Sequence, residues 1–329
     1  MKAIIYQPDN DIFCACDMAT PQLESPYDVL IEVDAVGLNP VDAKVNYWFG
    51  IVADGAREFV GGLDVSGTIV AKGKEVHRWQ LGDRVLYHGN MRRRQGGFAQ
   101  LAVQDSRTLT PHPEVNACEA AASPCAGWTA YRAINDKLHM ASHKQSVAIY
   151  GASGGVGSYA VQLCRYFNVP QVIAICSERN FDYVRSLGAT HCFDYRDEKL
   201  LEKLAMVVGS DGVDCALDCF GQKGQGVLSA SLGFDGQLVE LVNTIDSAQH
   251  ERAFERGLTL HQLSLGSGHV YGERGFRSIV NAGMTMNLLM EQQKIQAPKL
   301  TVIELADIPD ALTEIRLGHT CGKYVAAIK

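Results

Sequence analysis

A glycine-rich turn between an apolar strand and a helix constrains the fold of this 329-residue chain more than any other feature. Val147–Tyr150 is predicted as a strand, the segment Gly151–Gly157 follows it at once, and a helix is predicted to run to about Phe167. Such a turn directs backbone N–H groups and the positive end of a helix dipole at one point, where a pyrophosphate can bind. The turn therefore predicts a dinucleotide site whose contacts are Ser153, Gly154, Gly155 and Val156.

The glycine motif can be aligned in two registers. Gly155-x-Gly157-x-x-Ala160 fits the dinucleotide pattern literally, but it begins too far beyond the strand. Ala152-x-Gly154-x-x-Gly157 follows the strand directly, with alanine in the first glycine position, and this register is preferred. A turn with a purely structural role is the alternative interpretation.

Strand and helix segments alternate from Ser146 onward, which predicts a parallel, doubly wound sheet. Before about Ser123 the chain instead has short strands separated by glycine turns, and a helix, a strand, a second helix and a last strand close the sequence. The predicted fold class is α/β, with a dinucleotide-binding domain at residues 125–270 inserted into a β-rich domain of residues 1–124 and 271–329. The strands predicted in the two domains include Val29–Val36, Val65–Val70, Arg84–Tyr87, Phe98–Val103, Val172–Cys176, His191–Tyr195, Cys215–Asp218, Gln237–Val242 and Leu258–Leu265.

The end of the second strand of the inserted domain bears on the choice between NAD and NADP. An acidic residue there would bind the ribose 2′-hydroxyl and repel a 2′-phosphate. The chain has Cys176 in that place, followed by the hydroxyl of Ser177 and the guanidinium of Arg179, which can grip a phosphate. Glu178 opposes this assignment, because a carboxylate that reached the ribose would favour NAD, and ordinary solvated loop residues are a third interpretation. The sequence favours NADPH.

Charge and composition exclude several classes of function. The net charge is −7 and the one basic run, Arg92–Arg94, is short, so a nucleic-acid partner is not expected. The N-terminal segment lacks the apolar core of a signal peptide and no stretch is long enough to span a bilayer, so no membrane association is expected. The ten cysteines contain no Cys-x-x-Cys pair and predict reduced thiols in a cytoplasmic protein.

Several segments together carry a family resemblance. The order of these segments is more specific than any single segment, and together they extend over essentially the whole sequence. In chain order they are Gly37–Lys44, Gly62–Val70, Gly82–Val85, Gly97–Gln100, Thr129–Tyr131, Gly154–Gly157, Ile308–Leu312, Gly318-His319 and Gly322-Lys323. The chain resembles the zinc-independent medium-chain dehydrogenases/reductases, and among them the quinone oxidoreductases. The resemblance implies a GroES-like catalytic domain plus a Rossmann domain, with the active site in the cleft between them.

The resemblance also raises the question of zinc. Zinc-dependent relatives hold a catalytic ion with a cysteine, a histidine and a third cysteine or acidic ligand. Asn39 stands where the first cysteine would be and Leu63 where the histidine would be. Cys125, at the third position, would be the only one of the three zinc ligands present. The structural four-cysteine lobe is absent, because His88–Gln95 contains no cysteine. The histidines show no metal spacing and most are expected at the surface, so no metal is predicted.

The resemblance gives roles to four polar residues near the lost metal site. It implies that Asn39 and Tyr47 contact the substrate or the nicotinamide, and that Asp42 or Lys44 orients them. Tyr47 is the first choice as proton donor or oxyanion ligand. The alternatives are that Tyr47–Phe49 forms an aromatic wall and that Lys44 is a solvated structural residue.

Further contacts with the cofactor are implied by the same resemblance. Backbone groups of residues 241–243 would fix the carboxamide of the nicotinamide. The predicted strand Leu258–Leu265 would extend a sheet across a dimer interface, so a homodimer is expected. The implied side-chain contacts are Thr129 near the nicotinamide, Tyr195 near the adenosine phosphate, and Phe220, Val242 and Asn243 along the nicotinamide end.

These assignments predict an NADPH-dependent oxidoreductase that transfers hydride to a quinone or an α,β-unsaturated carbonyl compound. Without a Lewis acid, reduction of a simple ketone needs another way to stabilise an alkoxide. Hydride addition to a conjugated system sends charge to an oxygen that needs only hydrogen-bond donors and a proton. Two alternatives stay open: an alcohol-dehydrogenase-like reductase of another carbonyl, and a low-turnover NADPH-binding protein that acts as a sensor or a crystallin-like protein.

Overall fold

The computed structural model of the chain describes residues 1–52, 59–141, 144–221, 224–318 and 320–329. The chain divides into two compact units: unit 1 is Met1–Trp128 with Leu265–Lys329, and unit 2 is Thr129–Ser264. These boundaries lie a few residues from those of the predicted domains. His319, part of the tail motif, lies outside the described residues.

The helices and strands are numbered in chain order. The helices are α1 Pro40–Ala43, α2 Val45–Trp48, α3 Ala117–Ala121, α4 Thr129–Tyr131, α5 Gly155–Tyr166, α6 Phe181–Leu187, α7 Leu200–Val208, α8 Gly224–Ser231, α9 Gly272–Glu291 and α10 Ile308–Arg316. The strands of unit 1 are β1 Lys2–Gln7, β2 Ile12–Asp17, β3 Asp28–Gly37, β4 Phe59–Val60, β5 Asp64–Lys72, β6 Arg84–His88, β7 Leu101–Asp105, β8 Thr110–Pro111, β15 Leu300–Glu304 and β16 Lys323–Ala327. The strands of unit 2 are β9 Ser146–Tyr150, β10 Gln171–Cys176, β11 His191–Asp194, β12 Val213–Asp218, β13 Leu232–Glu240 and β14 Thr259–Gln262. Within the described ranges, no helix has both the length and the apolar character needed to cross a membrane.

Unit 1 is built on a mostly antiparallel sheet with the strand order β15-β16-β3-β5-β6-β8, and β7 also pairs with β3. Strands β15 and β16 run parallel to each other. Strand β3 lies inside this sheet, between β16 and β5. Its side chains alternate, so that Val29, Ile31 and Val33 enter the hydrophobic core while Glu32 stays partly exposed. A second, smaller sheet has the order β2-β1-β4.

Two differences from the sequence expectation in unit 1 concern the start of the chain and the strand expected from Phe98. Strands β1 and β2, which the sequence pattern does not predict, form an antiparallel pair at the start of the chain. The strand expected from Phe98 begins instead at Leu101. The reason is that the N–H groups of Gly97 and Phe98 donate to the carbonyls of Gly62 and Gly61 at 2.8 and 2.9 Å, rather than to β3.

Unit 2 contains one parallel sheet with the strand order β11-β10-β9-β12-β13-β14. Strand β9 lies inside the sheet with all five residues buried, as expected where helices cover both faces of a parallel sheet. The order reverses between β9 and β12, and folds of this kind bind nucleotides at the carboxyl ends of the strands flanking that point. The predicted doubly wound sheet is confirmed.

Candidate active site

The glycine turn of unit 2 leaves a helix N-terminus open to an anion. Strand β9 ends at Tyr150, and Gly151 takes the left-handed φ of 81° that turns the chain toward α5. The N–H groups of Gly151 and Ala152 donate to the carbonyl of Ile175 at 2.9 and 3.3 Å, which fixes the turn to β10. Gly154 is the N-cap of α5, and no described side chain caps this end. The first N–H groups of the helix are therefore available to a phosphate.

Gly157 allows α5 to pack closely against this turn. A Cβ atom at position 157 would lie 2.3 Å from the carbonyl oxygen of Gly151 and 2.6 Å from Cα of Ala152. A larger residue would push the helix away from the strand. The predicted pyrophosphate contacts all lie on the turn or at the start of α5: Ser153, Gly154, Gly155 and Val156.

A guanidinium and a hydroxyl meet beyond the end of β10. Parallel pairing places Cys176 opposite Asp194, so the residues that follow the two strands are neighbours. Arg196 donates from Nη2 to Ser177 Oγ at 3.1 Å and forms a bidentate pair with Asp194. The hydrogen bonds from Arg196 hold the pKa of the Asp194 carboxyl well below its usual range. Arg179 is exposed on the turn that follows Ser177.

Arg196 is a candidate phosphate ligand that the local sequence pattern does not reveal. It stands 19 residues after Ser177, and the pairing of β10 with β11 brings the two together. Glu178, which opposes an NADP assignment in the sequence, is exposed and donates its N–H to Asp194 Oδ2 at 3.0 Å. Ser177, Arg179 and Arg196 give this edge the charge-assisted donors that a phosphate needs.

The turns after β12 and β13 carry the predicted nicotinamide contacts. Phe220 follows β12, and Val242 and Asn243 follow β13. The rings of Tyr195 and Phe220 stack with 6.4 Å between their centroids, and both side chains are about two-fifths exposed, at 41% and 42%. Thr129, in contrast, is buried at the first position of α4. The sheet therefore presents a partly exposed aromatic surface at this edge.

Two buried carboxyl groups lie beneath these turns. Asp218 and Glu240 are register partners at the ends of β12 and β13, and they are 0% and 1% exposed. Oδ1 of Asp218 accepts the N–H groups of residues 220 and 221 at 2.9 and 2.8 Å. Oε1 of Glu240 accepts those of residues 242 and 243, both at 3.1 Å. Each carboxyl group thus fixes the turn that follows its own strand.

The charges of the two carboxyl groups also act on each other. Burial, and then the negative charge of Asp218, raise the pKa of Glu240 to about 7. Their remaining oxygens, Oδ2 and Oε2, are buried and accept no hydrogen bond from a described donor. Glu240 therefore occupies the N–H groups of residues 242 and 243, and the carbonyl of Asn243 accepts from Gln262 Nε2 at 3.5 Å.

Unit 1 contains a buried polar cluster centred on Asp64, and we call it the Asp64 cluster. Oδ1 of Asp64 accepts from His88 Nδ1 and from the backbone N–H of Cys125, both at 2.9 Å. Oδ2 accepts from Asn39 Nδ2 and Lys323 Nζ, both at 3.0 Å. Although burial alone would raise it, the charge of Lys323 and the hydrogen bond from His88 lower the pKa of Asp64. Asp64 is therefore a carboxylate whose acceptor positions are filled.

Asn39 and Asp42 join the cluster as the cap of helix α1. Oδ2 of Asp42 accepts from the backbone N–H and the amide Nδ2 of Asn39 at 2.9 and 3.1 Å. The amide oxygen of Asn39 accepts from Lys323, so both ends of this amide are bonded within the protein. Oδ1 of Asp42 is buried and has no described donor. Burial, followed by the charge of Asp64, raises the pKa of Asp42 to about 7.

The other two predicted catalytic residues, Lys44 and Tyr47, lie at the surface. Lys44 is exposed, and the side chain of Tyr47 is 83% exposed. The two aromatic residues that follow Tyr47 pack instead against a small apolar cluster that includes Tyr6 and Phe59. The structure therefore brings Asn39 and Asp42 together and leaves the other two outside the Asp64 cluster.

His88 and Lys323 are cluster members that sequence reasoning does not identify. His88, expected at the surface with most of the histidines, is 3% exposed. Lys323 is 259 residues from Asp64 in sequence and reaches it because β16 pairs with β3. No local motif around Lys323 indicates that its side chain is buried, so its contact with Asp64 could be predicted only from the sheet topology.

Comparison with known proteins agrees with this architecture. Residues 25–114 match the family described as "Alcohol dehydrogenase GroES-like domain", and residues 155–282 match the one described as "Zinc-binding dehydrogenase". A chloroplastic quinone-oxidoreductase homolog of Spinacia oleracea is 36% identical over 202 residues, which cover 58% of this chain and 59% of that protein. A trans-enoyl reductase of Pyricularia oryzae is 34% identical over 199 residues, which cover 56% and 54%. The chain thus spans little more than half the length of these relatives.

The quinone oxidoreductase from Coxiella burnetii has the same fold, with a TM-score of 0.84 at 23% identity over 100% of this chain and 99% of that one. The chain belongs to the medium-chain dehydrogenases/reductases and is similar to their quinone oxidoreductases. It combines a GroES-like domain with a Rossmann-type parallel sheet. The predictions of family and fold class are confirmed.

The description of the second matching family raises the question of whether unit 1 can hold zinc. Among the described residues, Asp64, His88 and Cys125 each offer one ligand atom, and these atoms lie within 4.8 Å of one another. Lys323, however, already binds one oxygen of Asp64, and His88 binds the other. Burial raises the pKa of Cys125, so its thiol keeps the proton that a zinc ligand must lose. Arranged in this way, the three residues do not fit a zinc ion.

Proposed function

We propose that this protein is a zinc-independent, NADPH-dependent reductase that transfers hydride to a quinone or an α,β-unsaturated carbonyl compound. The observation that carries the proposal is the phosphate-binding edge of unit 2, where Ser177, Arg179 and Arg196 follow two paired strands. Asn180 Nδ2 donates to Ser153 Oγ at 3.0 Å and so ties this edge to the glycine turn. The relatives named quinone oxidoreductase and trans-enoyl reductase support a conjugated acceptor.

In this proposal unit 2 holds the cofactor, which supplies the hydride when it is bound. The N-terminus of α5 binds the pyrophosphate, and the hydroxyl and guanidinium groups at the end of β10 and β11 bind the 2′-phosphate. The exposed faces of Phe220 and Val242, with the carbonyl groups of the turn at residues 242–243, bind the nicotinamide end. The 2′-phosphate contacts are the reason to prefer NADPH to NADH.

Residues of unit 1 act on the substrate in this proposal. Hydride addition to a conjugated acceptor places negative charge on its oxygen, and Tyr47 Oη donates the proton that this oxygen takes up. The exposure of Tyr47 lets solvent restore that proton afterwards. Asn39 and Asp42 are positioning residues, because their mutual hydrogen bonds fix helix α1 and the short helix α2 that carries Tyr47. This chemistry needs no Lewis acid.

The experiment compares NADPH and NADH in binding and in turnover. Arg196→Ala removes a charge-assisted contact worth about 1.5–3 kcal/mol, so the Kd for NADPH should rise about 10- to 100-fold while the Kd for NADH stays the same. The matched control is Arg185→Ala, because Arg185 is an exposed arginine of the same unit on helix α6. Equal effects of Arg196→Ala on both cofactors would overturn the 2′-phosphate assignment.

Turnover is measured by the loss of nicotinamide absorbance with a 1,4-quinone and with an enone, each with and without a chelator. The proposal expects oxidation of NADPH that the chelator does not change. Tight NADPH binding without turnover would favour the low-turnover binding protein, and chelator-sensitive oxidation of an alcohol would favour a zinc enzyme.

We also propose that the protein is a homodimer joined through strand β14. This strand pairs with β13 and is the last in the described order of its sheet, so its outer edge has backbone groups that a second copy could pair with. Sedimentation equilibrium should give twice the mass of one chain, and a monomer at micromolar concentration would contradict the proposal.

A further inference from the structure

We propose that Arg316 is a positioning residue, which fixes the segment of helices α1 and α2 that carries Tyr47. The inference rests on the proposed function, in which Tyr47 donates the proton. Asn39 and Asp42 hold the N-terminal end of this segment through their mutual hydrogen bonds. Arg316, at the last position of helix α10, holds the point where α1 ends and α2 begins.

The two helices are too short to be stable by themselves. Each has four residues, whereas an isolated helix of fewer than about 12 residues is marginal in water. A helix of this length leaves most of its carbonyl groups without a partner inside the helix. Two carbonyl groups of α1 have partners outside it: that of Val41 accepts from Trp48 Nε1 at 2.7 Å, and that of Ala43 accepts from Arg316 Nε. The place of the segment therefore depends on such contacts.

Arg316 is itself held in a fixed orientation by Asp11. Nη2 of Arg316 donates to Asp11 Oδ1 at 2.8 Å, and Nη1 donates to Oδ2 and to the backbone carbonyl of Asp11, both at 3.2 Å. The buried Tyr6 donates from Oη to the same Oδ1 at 2.9 Å. A bidentate pair of guanidinium and carboxylate fixes direction as well as distance. With both terminal nitrogens held in this way, Nε is directed at the carbonyl of Ala43.

The backbone of Asp11 has an uncommon conformation that serves this arrangement. Asp11 lies in the turn between β1 and β2 with a left-handed φ of 52°, which is unfavourable for residues other than glycine. Such a residue persists where its surroundings compensate the cost, and residues of this kind gather at functional sites. The backbone carbonyl and both carboxylate oxygens of Asp11 accept from Arg316. The turn of this hairpin is therefore the support on which Arg316 is oriented.

The first experiment measures hydrogen exchange of the Lys44 and Tyr47 amides in the native protein and in Arg316→Met. These N–H groups donate to the carbonyls of Pro40 and Lys44 at 3.0 and 3.1 Å, so their exchange reports the opening of α1 and α2. The variant should exchange them about 10- to 100-fold faster, because it lacks a hydrogen bond from a charged group. The amides of strand β3, in the core of the same unit, should exchange at the native rate.

The matched control is Arg94→Met, which removes an exposed arginine of the same unit that pairs with Glu24. It should leave exchange in α1 and α2 at the native rate. Equal exchange in the native protein and in Arg316→Met would overturn the proposal. An equal increase in β3 and in the two helices would also overturn it, because the variant would then only destabilise the whole unit.

Asp11→Asn keeps the test decisive where Arg316→Met does not fold. Asparagine accepts the left-handed φ, but its amide lacks the charge that holds the guanidinium group. This variant should speed exchange of the same two amides, in the same direction as Arg316→Met. Native exchange rates in a folded Asp11→Asn variant would show that Asp11 does not orient Arg316, and would overturn the proposal.

The second experiment connects this contact with turnover of NADPH and an enone. Arg316→Met should lower kcat about 10-fold at an unchanged Kd for NADPH, because the proton donor is misplaced. Arg316→Lys should recover part of the loss, since lysine keeps the charge and a donor. In a Tyr47→Phe background, Arg316→Met should cause no further loss of kcat. A further loss there would overturn the link between Arg316 and Tyr47.

The two experiments separate failure of this inference from failure of the proposed function. Faster exchange of the Lys44 and Tyr47 amides in Arg316→Met, together with a native kcat in Tyr47→Phe, would refute Tyr47 as the proton donor. It would still support Arg316 as the residue that fixes α1 and α2. Native exchange in Arg316→Met with a low kcat in Tyr47→Phe would overturn the role of Arg316 and leave the proposed function standing.

Discussion

Replacement of Glu240 by glutamine tests the raised pKa of this buried carboxyl group, which lies beneath the turns after β12 and β13. In the native protein one oxygen of Glu240 accepts the N–H groups of residues 242 and 243, and burial and the negative charge of Asp218 raise the pKa of its carboxyl group. The amide of Glu240→Gln keeps the oxygen that accepts these N–H groups and carries no titrating proton. The variant therefore preserves the turn and removes one ionisation from the sheet.

The sign of the effect follows from the direction of the pKa shift. The pKa of Glu240 is raised from 4.5 to about 7, so the folded state binds this proton more tightly than the unfolded chain does. Its contribution to stability is fully present below about pH 4.5 and is lost as the pH rises to about 7. The loss is at most about 3–4 kcal/mol, at about 1.4 kcal/mol for each pKa unit. The variant should thus equal the native protein at about pH 4.5 and exceed it by up to about 3–4 kcal/mol at about pH 8.

Native-state hydrogen exchange of the amides in β12 and β13 measures this difference directly, because it gives the opening free energy of unit 2 alone. The matched control is Glu202→Gln, which changes an exposed glutamate of helix α7 in the same unit and should alter the opening free energy equally little at both pH values. Equal stability of native protein and Glu240→Gln at about pH 8, or a gap of the same size at both pH values, would refute the raised pKa of Glu240.

Three further predictions concern the glycine turn and unit 1. Asp42→Asn should flatten the fall in unfolding free energy of unit 1 between about pH 4 and about pH 7, since burial raises the pKa of Asp42 to about 7. Tryptophan fluorescence measures the unfolding of unit 1, because all three tryptophans belong to that unit. An unfolding free energy with the same pH dependence in the variant and the native protein would contradict this prediction. Gly157→Ala should cost about 1–3 kcal/mol and weaken NADPH binding, whereas Gly50→Ala, with nothing within 4 Å of its Cβ, should change neither. Tyr47→Phe should lower kcat about 100-fold at an unchanged Kd for NADPH, and an unaltered kcat would exclude Tyr47 as the proton donor.

The sheet of unit 2 was accessible to sequence reasoning because its strands are buried on both faces. Short apolar runs such as Val147–Tyr150 and Val172–Cys176 alternate with helices, and few folds accommodate that order. Once the sheet is known to be parallel, the residues after neighbouring strands must meet at one edge. That reasoning places Ser177, Phe220 and Val242 without any coordinates.

Contacts between residues that meet only through strand register or long-range topology could not be predicted from the sequence. Arg196 meets Ser177 only because β11 ends level with β10, and the predicted strand end at Tyr195 gives no sign of this contact. In the sequence, Asp218 and Glu240 each look like an ordinary acidic residue at the end of an apolar strand. Their interaction follows from the alignment of two strand ends, which composition and periodicity do not determine. A search for acids that end consecutive parallel strands would have found this pair.

The Asp64 cluster shows why the residue types at a site predict its chemistry less well than the contacts between them. Asp64, His88 and Cys125 are chemically suitable for zinc and lie close together, so neither their identity nor their distances exclude a metal. What opposes metal binding is the protonation and bonding that the fold imposes: a lysine from the far end of the chain binds the carboxylate, and burial raises the pKa of the thiol. The buried carboxylate of Asp64 requires a positive charge beside it, and the ammonium group of Lys323 supplies that charge.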